Sequence, residues 1–146
     1  MTDSADWPPL QPDEILLTAR DELLWRQVNP QFANNGQVTS QAFRPNSEDG
    51  NLVSTSRESK QNAEGAFQFH TTTLDLESAG TWCVSVGEVM AADARAIDDS
   101  ESASAPPPPC PPGHTSIDMR PFGKSMCRKI GSKLSENANV RGRQYP

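Results

Sequence analysis

The run from Asp98 to Gly113, DDSESASAPPPPCPPG, rules out more than any other stretch of the chain. Proline has no N–H to donate and a fixed φ, so residues 106–112 fit neither a helix interior nor a central strand. The acidic, serine-rich half before them offers little that a core could use. The composition therefore predicts a loop or insertion over about 93–113. Strand-like alternation returns directly afterwards in HTSIDM, and a helical pattern comes next towards the C-terminus. The expectation is one domain over 13–146, interrupted by that loop and preceded by a flexible lead-in over 1–12. The lead-in holds three prolines, and Trp7 is the residue in it that would anchor on the domain.

The segments between turn signals set the fold class. DEILLTARDELLWRQV has apolar residues at 15, 16, 19, 23 and 24, which suits a helix, but LLWRQV before Asn29-Pro30 suits a strand. We read a strand there, with a helical turn or a further strand ahead of it. NNGQ at 34–37 is a turn, VTSQAF a moderately polar strand, NSEDGN a second turn and LVSTS a short strand. Thr55 and Glu58 stand three apart, the spacing of a capping box. Ala63, Ala66, Phe67 and His70 then recur at helical intervals, so a helix is expected over about 58–71. TWCVSVGEVM at 81–90 reads as the strongest strand, at a central position. Met126, Ile130, Leu134 and Ala138 mark a C-terminal helix, with Gly131 weakening it and Gly142 suited to its end. The expected class is α+β: a small mixed or antiparallel sheet, one central helix, and a basic amphipathic helix at the C-terminus.

Charge is unevenly divided. Residues 1–118 hold six Lys/Arg against eighteen Asp/Glu, and residues 119–146 hold seven Lys/Arg against Glu136 alone. A basic helix docked on an acidic body would explain this, and so would a phosphate-binding tail. Cys83, Cys110 and Cys127 are odd in number and lack CxxC spacing, which suits reduced thiols in the cytoplasm. No apolar run is long enough to span a membrane, and no secretory signal pattern opens the chain. His70 and His114 show no metal-ligand spacing with the cysteines, so no metal is expected. P-loop, dinucleotide, zincin and hydrolase-elbow motifs are absent from the sequence.

Arg26 lies in one strand segment, Ser54-Thr55-Ser56 in a later one, and Glu88 in a third beyond the predicted helix. This order resembles that of ADP-ribosyltransferases, and an arginine-bearing opening strand is similar to RES-type NAD-consuming domains. The resemblance implies that Arg26, Ser54, Thr55 and Ser56 hold NAD. It also implies that Glu88 stabilises a developing oxocarbenium ion, catalysis then resting on Glu88, Arg26 and Ser54. Position 86, two before the glutamate, is Val86 where the family carries Glu or Gln.

His114 and Asp118 share a strand face at i, i+4, so a His–carboxylate bond there would tune a base. The C-terminal helix, in GKSMCRKIGSKLSENANV, carries Lys124, Arg128, Lys129 and Lys133 but no aromatic residue for base stacking. There are two functional expectations. The first is a small intracellular interaction or accessory protein without a cofactor, meeting a protein partner, or nucleic acid, through the basic helix or the proline-rich loop. The alternative is an NAD-dependent ADP-ribosyltransferase or glycohydrolase.

Overall fold

The computed structural model describes residues 6–46, 48 and 50–146. In chain order the elements are β1 (Ile15–Leu16), β2 (Leu23–Gln27), β3 (Ala33–Asn34), β4 (Gln37–Val38) and β5 (Leu52–Arg57). They continue with α1 (Ala63–Gln68), a π-helical turn Phe69–Thr73, β6 (Thr81–Ser85), α2 (Val86–Ala91), β7 (Arg95–Asp98), β8 (His114–Asp118) and α3 (Lys124–Arg141). Six strands make one sheet in the order β1-β7-β8-β5-β2-β6, every pair antiparallel. β3 and β4 form a separate hairpin turned through Asn35 and Gly36, both at positive φ as a two-residue turn demands. The class is α+β. Among the described residues no helix is long and apolar enough to cross a membrane.

Alternation along the strands divides the sheet into two unlike faces. Leu24, Val53, Val84, Ala96 and Ile117 share the main core with Cys127, Ile130, Leu134 and Ala138 of α3. Gly131 sits in that stripe because the backbone of the 43–44 segment runs across it. A Cβ there would lie 3.1 Å from the Arg44 Cα and 3.2 Å from the Phe43 carbonyl. On the opposite face Trp25 and Cys83 pack against Ala66 of α1, and the Trp25 indole donates to the Gln61 carbonyl at 2.7 Å. That face also carries the hydroxyls of Ser54, Ser56 and Ser116 and the ring of His114 beside Ile97, and a small cleft opens over it.

Several elements depart from expectation. VTSQAF is a strand only at its first residue; the chain turns after it, burying Ala42 and Phe43 in the main core. The helix predicted from residue 58 begins at Ala63 behind an Asn62 cap, because both halves of the predicted capping box are engaged elsewhere. Thr55 donates to the Thr115 carbonyl, and Glu58 accepts from the Leu23 N–H. The capping box that does form is Ser85 with Glu88, which ends β6 and starts α2 inside the segment read as one strand. β6 is an edge strand, buried by α1, α3 and the C-terminal segment, whose Gln144 N–H donates to the Thr81 carbonyl.

The loop is shorter than predicted. Arg95–Asp98 joins the sheet, leaving 99–113 to connect β7 and β8. Of the flexible lead-in, residues 1–5 lie outside the described residues, as do 47 and 49 of the NSEDGN turn. Trp7 does anchor the remainder of the lead-in on the domain: its ring meets Phe122 edge-on at 5.6 Å and lies under the Arg95 guanidinium at 4.7 Å.

Candidate functional site

Register builds the site. Trp25 on β2 pairs with Ser56 on β5, and Ser56 pairs with His114 on β8. Asp98 pairs with Thr115, so Asp99, one residue beyond β7, stands opposite His114. Side chains at paired antiparallel positions point to one face with Cβ atoms about 4.5–5.5 Å apart. Asp99, His114, Ser56 and Trp25 thus form a row across four strands on the face of the sheet away from α3. A cleft of about 80 Å³ opens at this row, lined by Trp25, Ser56 and His114 from the sheet and by Phe69, His70, Leu74 and Pro111 from outside it. Both histidines of the chain line it.

His114 is 5% exposed and Asp99 4%. The imidazole Nδ1 lies 2.6 Å from Asp99 Oδ1, and Ser116 donates to Asp99 Oδ2 at 2.8 Å. A carboxylate can only accept, so Nδ1 carries the proton and neutral His114 has its lone pair on Nε2. That nitrogen is buried and makes no hydrogen bond among the described residues. An unmade bond of this kind costs about 1–3 kcal/mol. The Ser56 hydroxyl, one strand away, likewise has no partner among the described residues. Carboxylate, imidazole and hydroxyl therefore succeed one another in the order that activates a nucleophile or a water molecule. Across the cleft, burial lowers the pKa of His70, and the Arg26 guanidinium lowers it further. His70 thus keeps its ring neutral to lower pH than a solvated histidine would.

Arg26 occupies a fissure in the sheet. β2 and β5 pair only at Leu24–Arg57 and Trp25–Ser56. Beyond those positions β2 stays with β6, β5 stays with β8, and the two splay apart. Arg26 bridges the gap: Nε donates to the Ala42 carbonyl and a terminal nitrogen to the Ser54 carbonyl, each at 3.0 Å. The cleft lies to one side, and a second hollow of about 290 Å³ lies to the other. Arg26 and Ser54 line both.

The residues named from the sequence therefore separate. Arg26, Ser54, Thr55 and Ser56 all line the cleft, though the Thr55 hydroxyl is committed to a β8 carbonyl. Glu88 does not line it. Its carboxylate accepts the Ser85 N–H at 2.8 Å and faces Arg141 at 3.2 Å. His114 has a carboxylate partner, but that partner is Asp99; Asp118 is taken by Arg95 and Arg120. Lys124, Arg128, Lys129 and Lys133 are all exposed on α3. Among the described residues no cluster of His, Cys, Asp and Glu is arranged for a metal. Asp99, His70 and Arg44 were not legible as site residues. The signal for Asp99 was its place opposite His114 once AID is taken as a strand. Set against known proteins, the chain matches no protein family, no curated protein and no solved structure.

Proposed function

We propose that the protein is an enzyme that moves a proton on a small polar substrate seated in the cleft, with His114 as general base and then general acid. The ring of His114, a residue that lines the cleft, carries this reading: Nδ1 is held by Asp99, while Nε2 is buried and has no hydrogen-bond partner among the described residues. Asp99 fixes the tautomer, and Nε2 takes the proton of Ser56, of water or of a substrate hydroxyl before returning it to the leaving group. The reaction class is hydrolysis or group transfer.

NAD consumption is the specific form drawn from the resemblance. Arg26 and Ser54 on one cleft wall support it. The position of Glu88, paired with Arg141, moves the expected dependence from Glu88 to His114. The test measures nicotinamide release from NAD and nitrophenolate release from acyl and phosphoryl esters. The expected result is turnover of at least one, falling about 10²–10⁴-fold in His114→Gln and persisting in Glu88→Gln. Turnover that survives His114→Gln, or no turnover of any of them, overturns the reading. Loss in Glu88→Gln alone restores the arginine–serine–glutamate assignment.

A second reading is favoured by one observation: Lys124, Arg128, Lys129 and Lys133 are exposed and form no ion pair among the described residues. Such a face suits an acidic protein partner or a phosphate backbone, bound without base specificity. Binding to nucleic acid that weakens with salt and is lost in Lys129→Glu with Lys133→Glu supports it, and absence of binding at low salt ends it. The three free thiols suit a cytoplasmic setting in either case.

A further inference from the structure

The hollow on the far side of Arg26 is lined by Arg26, Gln41, Arg44, Asn46 and Ser54, together with apolar side chains. Arg44 makes no ion pair or side-chain hydrogen bond among the described residues, and its Nε is buried with nothing to donate to. A guanidinium is always charged, so a half-buried one with no carboxylate among the described residues of its walls sets up a positive potential. The described walls contain two arginines and no Asp or Glu. Their size is also apt: about 290 Å³ falls at the lower end of the range for small-molecule sites. The 80 Å³ cleft alone would hold little more than a small group.

We infer that this hollow binds a phosphate group of the substrate, with Arg44 as its principal ligand and Gln41 and Asn46 at its rim. This rests on the reading of the His114 cleft as a substrate site. It adds that the substrate is a phosphate ester long enough to reach from Arg44 to the cleft wall at Ser54. The planar guanidinium offers paired donors that match two phosphate oxygens, and charge-assisted bonds of this kind are about twice as strong as neutral ones. Arg44 is well fixed for the task. Its Cα packs against Gly131 of α3, and its N–H donates to the Gln41 carbonyl. Arg26 already gives two donors to the Ala42 and Ser54 carbonyls, so it contributes mainly charge at the boundary of the two spaces.

The experiment titrates the full chain with inorganic phosphate, and then with a nucleoside monophosphate, at constant ionic strength against chloride. Calorimetry and the melting temperature are the readouts. Saturable binding and a raised melting temperature are expected. Arg44→Gln should weaken affinity about tenfold or more, as loss of a charge-assisted contact implies. Gln41→Glu, at an exposed turn residue, should weaken it comparably by repulsion, and it decides the matter should Arg44→Gln fail to fold. His114→Gln should leave phosphate affinity unchanged, so failure of the catalytic reading and failure of this one are read separately. Lys129→Gln with Lys133→Gln should also leave it unchanged. No saturable phosphate binding overturns the inference. So does binding that survives both hollow variants, or binding that disappears with the α3 pair.

Discussion

The bidentate pair between Glu22 and Arg57 makes a sharp prediction about acid stability. Arg57 donates to the two carboxylate oxygens at 3.0 and 2.8 Å, and the Ser59 N–H adds a third bond at 2.9 Å. These bonds, Arg57 first, hold the Glu22 carboxyl down from 4.5 to about 2 against the opposing effect of burial. Its side chain is only 9% exposed, so solvent screening is slight. At about 1.4 kcal/mol per unit, the shift amounts to about 3 kcal/mol of stability. Because the folded value lies below the unfolded one, this contribution is present above pH 4.5 and disappears as the pH falls through 2. About half of it should remain near pH 3. Glu22→Gln should therefore lower the urea midpoint at neutral pH by on the order of 1–2 M. The gap between the two proteins should then shrink steadily as both are acidified. Asp98 and Asp118 also titrate low, so both proteins lose stability in acid and the prediction concerns the difference. A gap below about 0.5 kcal/mol at neutral pH, the range of an ordinary surface substitution, would refute the argument. A gap that stays constant down to pH about 2.5 would do the same.

Four further outcomes are expected. The NMR titration midpoint of His70 should lie below 6.5 through burial and should rise in Arg26→Gln; a midpoint at or above 6.5 contradicts the placement of both residues in the cleft. Since the folded protein favours neutral His70, wild type should also lose stability below pH 6.5 more steeply than His70→Gln. Gly131→Ala gains about 1 kcal/mol of helix propensity but drives a methyl into the Arg44 backbone, so a net loss of about 1–2 kcal/mol is expected in chemical denaturation. Among the thiols, burial pushes Cys83 up to about 11, and Cys127 is buried too, whereas Cys110 is half exposed. Mass spectrometry after native alkylation at pH about 8 should find label on Cys110 first, and prior labelling of Cys83 would contradict its burial.

The elements read correctly from the sequence are those whose own residues carry the signal. β2 is closed by Asn29-Pro30, β5 and β8 each follow turn or proline signals, and α3 repeats its apolar residues every four positions, so local pattern and tertiary structure agree. The misread elements are those where a distant partner changes the outcome. Glu58 has the spacing to cap a helix, yet the Leu23 N–H, thirty-five residues away in sequence, takes its carboxylate. Val86 and Val89 look like strand residues, but Ser85 and Glu88 satisfy one another's backbone and turn the chain helical. β6 reads as central because its apolar character is continuous at Cys83 and Val84; all five residues are indeed buried, but α1, α3 and the C-terminal segment supply that burial rather than a strand on each side.

The site was half legible for the same reason. His114 and the hydroxyls of Ser54 and Ser56 lie in strands whose existence the sequence reveals, so they could be named as candidates. Their chemical partner could not, because Asp99 belongs to an acidic run that composition assigns to solvent. In the fold that run divides: Asp98 is fixed by Arg57 at 2.9 Å and Asp99 by His114, both nearly inaccessible, while Glu101 is exposed. The two ends of a long hairpin loop must meet, so residues 99 and 114 were bound to be neighbours once β7 and β8 paired. The proline run that excludes regular structure therefore has a positive role. It spans the gap between a carboxylate and an imidazole, and Pro111 lines the same cleft as the residue that carries that imidazole.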